Sequence, residues 1–197
     1  MLPDGIGIVL ASRLAGGGIR KRITGMDLFL SLNRELARIG GRIFLLGTTN
    51  KNLAAICEKL SREFPGLQIA GYYAPPFAES FTDEEENHMV KQINAAAPDI
   101  LWIGLGSPKQ EIWARRNLRR LDTCLIAPVG AVFDFYTGRI MRPAPLFQRT
   151  GLEWLIRLMG HPPRLYERTL ISAPWFLARV IGDRPWRRKC GRRENAE

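Results

Sequence analysis

Ile100-Leu101-Trp102-Ile103-Gly104-Leu105-Gly106-Ser107-Pro108-Lys109-Gln110-Glu111 is the stretch whose reading decides the fold. Four apolar residues, a glycine turn and a Ser-Pro step describe a strand feeding the N-terminus of a helix. That geometry aims backbone N–H groups and the positive helix end at an anion, typically a phosphate. Lys109, Gln110 and Glu111 fall in the first turn, at the mouth of such a site. A plainer reading makes Ser107 the N-cap, Pro108 the first helical residue and Gln110 the far side of a capping box. Capping accounts for those three residues but does not require Gly104, Gly106, Lys109 or Glu111. Spacing alone leaves both readings open.

The same strand-then-helix grammar recurs on either side. Ile43-Phe44-Leu45-Leu46 ends at Gly47, and Thr48-Thr49-Asn50 caps a helix from about Lys51 to Phe64. Leu67 to Tyr73 is a second strand. Thr82-Asp83-Glu84-Glu85 opens a helix to about Ala97, and its acidic first turn complements the helix dipole. After the helix that runs to Leu121, Cys124-Leu125-Ile126-Ala127 is a short buried strand ending at Pro128-Val129-Gly130. This alternation predicts an α/β fold, a parallel sheet with helices on both faces. Ligands on such sheets sit at the carboxyl ends of the strands, where the turns after Gly47, Gly104 and Gly130 would gather.

Upstream, Thr24 to Ile39 reads as a helix with Leu28, Leu32, Leu36 and Ile39 on one stripe and Gly40-Gly41 as its stop. Thr24 and Asp27, three apart, are read either as its cap or as site residues. Downstream, Leu152, Leu155, Ile156 and Met159 line one helix face, which His161-Pro162-Pro163 breaks before a second helix near Arg164. The predicted organisation is an α/β core over 1–148 and a basic, amphipathic helical appendage over 149–197.

The 197-residue chain carries a formal charge of +10, placed unevenly. Residues 1–138 hold 16 Lys and Arg against 14 Asp and Glu, a balance of +2; residues 139–197 hold 13 against 5, or +8. The basic segment is interleaved with Trp154, Tyr166, Trp175, Phe176 and Trp186. That mixture favours an anionic membrane surface, and no docking motif or base-stacking sheet argues for nucleic acid. The longest uncharged stretch there, Thr169 to Ala178, is too short to cross a bilayer. Cys57, Cys124 and Cys190 lie far apart, which suggests a reducing compartment and no metal clip. His88 reads as a helix-face residue and His161 as a turn residue. Met1-Leu2-Pro3-Asp4 lacks the pattern of a signal peptide.

No Asp-x-Asp pair and no His or carboxylate cluster has metal-ligand spacing. A P-loop, a nucleophile elbow and a complete dinucleotide fingerprint are also missing. Polar residues on glycine turns remain: Asp4 in Pro3-Asp4-Gly5-Ile6-Gly7 and Asp134 in Val129-Gly130-Ala131-Val132-Phe133-Asp134. From the residues alone Asp4 reads more simply as a turn residue than as a reactive group, and Asp134 could equally cap or turn.

Five blocks in order carry a resemblance: Pro3 to Val9, Arg22 to Leu28, Gly104 to Glu111, Val129 to Asp134, and Gly151-Leu152-Glu153-Trp154-Leu155. Together they resemble the WecG/TagA/CpsF glycosyltransferases, glycosyltransferase family 26, over nearly everything from Pro3 to about Arg168. The resemblance implies a Rossmann-like core and an inverting, metal-independent transfer of a sugar from a UDP donor, with no cofactor. It implies a polyprenyl-diphosphate-linked saccharide as acceptor and donors of the N-acetylmannosamine or N-acetylmannosaminuronic acid type. Teichoic acid linkage units, capsules and exopolysaccharides are the family's products. The implied location is cytoplasmic, peripheral on the inner face of the bacterial membrane, and a homo-oligomer is compatible with it.

By the same resemblance Asp4 matches the family's general base. Gln110, with Lys109, Glu111, Gly104 and Gly106, matches the block lining the nucleotide-sugar pocket; Thr24, Asp27, Gly130 and Asp134 stand in further matching blocks. Thr48, Thr49 and Asn50 are placed near the uracil or ribose by the strand-edge geometry. Arg157, Arg164 and Arg168 match the basic appendage, whose cations would stabilise departing UDP where no metal does. Two departures accompany the match. Relatives carry several dozen residues ahead of the Asp-Gly block, so either a start upstream of Met1 or a short form is expected. They also tend to have an acidic residue where His161 stands. The alternative reading is a non-catalytic α/β module whose basic tail holds anionic lipid or nucleic acid.

Overall fold

The computed structural model describes residues 8, 9, 11, 12, 16–19 and 21–140. It divides into two units, Gly25–Arg142 and a second made of Met1–Thr24 with Pro143–Glu197. Of the second unit the described part is short. Ile8, Val9, Ala11 and Ser12 are helical, and the Ser12 hydroxyl accepts from the Ile19 N–H at 3.2 Å. The expected appendage, with Arg157, Arg164 and Arg168, and Asp4 with its glycine turn lie outside the described residues.

The larger unit alternates helix and strand: α1 (Gly25–Ile39), β1 (Arg42–Gly47), α2 (Asn50–Glu63), β2 (Gln68–Tyr73), α3 (Asp83–Ala96), β3 (Ile100–Gly104), α4 (Lys109–Asn117), β4 (Leu125–Pro128) and α5 (Val132–Tyr136). The four strands form one sheet in the order β2-β1-β3-β4, and every neighbouring pair is parallel. The expected α/β architecture is therefore present.

The strand sequences explain why both faces are covered. Ile43 and Leu45 of β1 with Ile100 and Trp102 of β3 point into one apolar layer, completed by Met26, Phe29, Leu53, Ile56, Leu60, Phe133 and Tyr136 from α1, α2 and α5. The alternate residues Phe44, Leu46, Leu101 and Ile103 enter a second layer with Met89, Val90, Ile93 and Trp113 from α3 and α4. Strands buried on both sides need unbroken apolar runs, which is what β1 and β3 carry. Phe29 anchors the first layer by edge contacts to Trp102 at 4.9 Å and Tyr136 at 5.2 Å. The Trp102 indole N–H donates to the buried Asn33 Oδ1 at 3.1 Å, so a polar atom inside that layer keeps a partner.

Most helix signals read from the sequence hold. α1 stops at Gly40-Gly41, with the Gly41 N–H donating back to Leu36 O at 2.8 Å. Thr49 caps α2 by accepting from the Asn52 N–H. Thr82 and Glu85 make a reciprocal capping box on α3. His88 lies on α3, 3.0 Å from Gln92. The capping box expected at Ser107 does not form: α4 begins at Lys109 after Pro108, with no side-chain cap, and the Ser107–Pro108 peptide is cis. α4 also ends four residues before the expected Leu121. The five-residue α5 carries no helix signal of its own in the sequence. So short a helix has little stability of its own, and it stands because Val132, Phe133 and Tyr136 are buried in the first layer.

Candidate functional site

The strand order decides where the sheet opens. The chain leaves β1 towards β2 on one side and leaves β3 towards β4 on the other, so the turns after β1 and β3 diverge from neighbouring strands. Crevices of this kind, beyond the carboxyl ends of parallel strands, are where open α/β sheets bind ligands. Gly47 and Gly104 are in register across this edge, and the Thr48 N–H donates to Gly104 O at 3.2 Å. The backbones approach so closely that a Cβ on Gly47, which has φ +129, would fall 2.4 Å from Gly104 O. A Cβ on Gly104 would meet the Phe133 ring at 2.4 Å. Both strand-end glycines are thus required by packing.

The β1 turn is braced by a polar network. Thr48 has φ +48, a left-handed conformation costly for a threonine. Asn52, on the first turn of α2 and only 6% exposed, donates from Nδ2 to Thr48 Oγ1 at 3.1 Å and to Asp134 Oδ1 at 3.1 Å. Its Oδ1 accepts from the Thr137 hydroxyl at 2.7 Å. Asp134, in the first turn of α5, also lies 3.7 Å from Arg139. Farther along α2, Glu63 accepts from the Tyr136 hydroxyl at 2.8 Å, and Lys59 Nζ donates to Tyr136 O at 2.7 Å. Burial, reinforced by Glu63, holds the Tyr136 phenol well above its usual range. Two sets of contacts therefore lock α5 onto α2 and hold Asp134 at the edge.

The β3 turn is arranged differently. Gln110 is 5% exposed and its Nε2 donates to Glu111 at 2.9 Å. Its Oε1 is buried with no hydrogen-bond partner among the described residues. Gly130 lies beside it, since a Cβ there would approach Gln110 Nε2 to 3.4 Å. The Gly130 turn is itself tied to β3, with the Val129 N–H donating to Ile103 O at 2.8 Å. Gly104, Gln110, Glu111 and Gly130 are thereby brought to one part of the edge, and Thr48, Thr49, Asn50 and Asp134 to the part beside it.

Lys109 goes elsewhere. Its ammonium donates to Ala78 O and stands 3.7 Å above the Phe81 ring. Desolvation lowers its pKa, with Glu85 pulling the other way. A cavity of about 160 Å³ lies there, walled by Phe81, Glu86, Ile112, Trp113 and Arg116, on the α3–α4 side and apart from the β1–β3 crevice. Gly106, exposed in the β3 turn, has φ +82 and accepts from the Gln110 backbone N–H at 2.9 Å. Thr24, buried, immediately precedes α1, and Asp27 is an exposed residue of its first turn. Asn52 and Thr137 were missed by sequence reasoning. An asparagine within a helix has no distinctive spacing, and only its position three residues after Thr49 hinted at the strand edge.

Among the described residues no group of three or more His, Cys, Asp or Glu is placed to hold a metal ion. No described helix is long and apolar enough to cross a membrane. Chemically, the edge offers a buried amide carbonyl with no donor among the described residues, a carboxylate held by Asn52, and two helix N-termini.

Comparison with known proteins identifies the family. Residues 1–190 match the glycosyl transferase WecG/TagA/CpsF family. An N-acetylglucosaminyldiphosphoundecaprenol N-acetyl-beta-D-mannosaminyltransferase of Bacillus spizizenii is 32% identical over 92% of this chain and 67% of its own length. The protein of the same description from Bacillus subtilis is 31% identical over 92% of this chain and 68% of its own. One from Staphylococcus aureus is 26% identical over 91% and 68%. The non-catalytic module is set aside by these matches, and the chain is a glycosyltransferase that belongs to the WecG/TagA/CpsF family.

Proposed function

We propose that this glycosyltransferase moves an N-acetylmannosamine-type sugar from a UDP donor to a polyprenyl-diphosphate-linked N-acetylglucosamine acceptor. Similarity to three transferases whose names specify that transfer supports the sugar and the acceptor. The observation that carries the donor site is the Gln110 carbonyl, buried at the strand edge without a donor. An unpaired buried acceptor costs roughly 1–3 kcal/mol. A ligand that brings an N–H or O–H, as uracil and a sugar both do, removes that cost on binding.

In the proposed reaction the acceptor hydroxyl attacks the anomeric carbon while the bond to the UDP β-phosphate breaks. Asp4 takes the hydroxyl proton and UDP departs with the bonding pair, so the anomeric configuration inverts. The helix N-termini at Asn50 and Lys109 favour negative charge at the strand edge. Arg157, Arg164 and Arg168 supply further positive charge to the leaving group, in place of a metal ion. The role of Asp4 follows from its family block, and those of the three arginines from the match to the family's basic appendage. The +8 balance of residues 139–197 supports a membrane-surface location, each Lys or Arg near anionic lipid being worth about 1 kcal/mol.

The test is transfer to a short-chain lipid diphosphate N-acetylglucosamine, followed by mass spectrometry, with UDP-N-acetylmannosamine compared with its uronic acid and with UDP-N-acetylglucosamine. The reading requires product from one of the mannosamine donors, retained in excess EDTA. A loss in EDTA restored by magnesium or manganese would replace the metal-free mechanism. Asp4→Asn is expected to lower turnover by roughly 10²–10⁴-fold and spare UDP binding. Turnover within a few fold of wild type would move the base to another residue, with Asp134→Asn the next variant.

A further inference from the structure

We infer that Asn52 is a positioning residue of the donor site, acting through Thr48 and Asp134. The inference rests on the donor reading above and adds to it a residue that none of the family blocks contains.

The observations are geometric. One carboxamide reaches three side chains on two separate pieces of backbone: Thr48 in the β1 turn, and Asp134 on α5 with Thr137 just beyond it. Each of its polar atoms is engaged, Nδ2 donating twice and Oδ1 accepting once. Its own backbone N–H donates to Thr49 Oγ1 at 3.3 Å, so the side chain and the start of α2 are fixed together. The group at one end of this link, Thr48, holds a left-handed backbone, φ +48, that threonine rarely adopts. The group at the other end, Asp134, is a partly exposed carboxylate at the crevice. Strain at a strand edge, stabilised by a buried side chain that also orients a carboxylate, is an arrangement for placing ligand-facing groups. Packing of α5 against α2 is already supplied by Tyr136, Glu63 and Lys59. The Asn52 link therefore has a separate task at the crevice end.

That separation makes a matched pair of variants informative. Asn52→Ala and Tyr136→Phe each cut a polar tie between α2 and α5, the first at the crevice and the second at the far end. In the full chain, UDP affinity by calorimetry and the donor and acceptor KM values in the transfer assay are the readouts. For Asn52→Ala the expected result is UDP binding weaker by about tenfold and donor KM raised by a similar factor, with acceptor KM unchanged. Tyr136→Phe should lower the unfolding temperature and leave UDP affinity within about twofold. Thr48→Val, which removes only the hydroxyl that Asn52 holds, should reproduce the donor defect in a protein that folds normally. It decides the matter if Asn52→Ala is too unstable to assay. An equal loss of UDP affinity in Asn52→Ala and Tyr136→Phe, or an unchanged affinity in Asn52→Ala and Thr48→Val, would overturn the role. Failure of the wild-type chain to bind UDP would instead overturn the donor reading and this role with it.

Discussion

The turn after β1 and the turn after β3 leave neighbouring strands of one sheet edge, in register at Gly47 and Gly104. In the first, Thr48, Thr49, Asn52, Asp134 and Thr137 bond to one another, and the network includes a strained threonine. In the second, Gln110 is as deeply buried as Asn52, yet its carbonyl has no donor among the described residues. A buried polar group left unpaired lowers stability, whereas a paired one is close to neutral or favourable. The difference therefore separates a turn that holds its shape unaided from one whose last hydrogen bond a ligand completes. It also separates both from Lys109, whose ammonium is engaged by Ala78 and Phe81 on the far side of α4.

The largest effect is expected where the two turns touch. Gly47→Ala places a Cβ 2.4 Å from Gly104 O on a backbone with φ +129, and should cost about 3 kcal/mol or more. Gly106→Ala, at φ +82 with nothing within 4 Å of the new Cβ, should cost only the conformational share, about 1–2 kcal/mol. Urea unfolding of the two variants measures both. Equal losses would show that the edge is not closely packed and would break the comparison at its base.

Next comes Gln110→Ala. Donor kcat/KM should fall by about 10–100-fold while stability stays within ~0.5 kcal/mol of wild type or rises, because an unpaired acceptor has been removed. Unfolding curves beside steady-state kinetics read this directly. A clear loss of stability with unaltered kinetics would make Gln110 a purely structural residue, and the contrast between the turns would vanish.

Lys109→Met is predicted to act on the fold more than on the reaction. Loss of the contact over Phe81 should lower stability by about 0.5–1 kcal/mol, with donor KM within about threefold of wild type. A tenfold rise in donor KM would return Lys109 to the crevice.

The smallest effect concerns Cys57 of α2, which packs partly buried against the first apolar layer. Burial pushes the Cys57 thiol up to about 11 from 9.0, whereas Cys124 is exposed. At pH 8 iodoacetamide should therefore label Cys124 at least ~10-fold faster than Cys57, read by peptide mass spectrometry. Because the folded state resists ionisation of Cys57, its contribution to stability is complete below pH 9.0 and is lost as pH rises towards 11. Cys57→Ala should flatten that alkaline decline. Rapid labelling of Cys57 in the native protein would mean that α2 opens readily and braces little.

The sequence by itself determined the sheet and its layers. Runs such as Ile43 to Leu46 and Ile100 to Ile103 are apolar at every position, and only a strand covered on both faces accommodates that. Thr49, Thr82 with Glu85, and Gly40-Gly41 set helix ends through bonds that span three to five residues, so they too were readable. Local chemistry was misleading at Ser107, where a plausible cap was not used and α4 began at Lys109. It was silent about α5, whose five residues become helical because Val132, Phe133 and Tyr136 fill the layer beneath α1 and α2. The direction of Lys109, the unpaired carbonyl of Gln110 and the three-way link of Asn52 were settled only in the tertiary structure. Each depends on which groups a side chain meets 20 to 85 residues away in sequence, and no local spacing encodes that meeting.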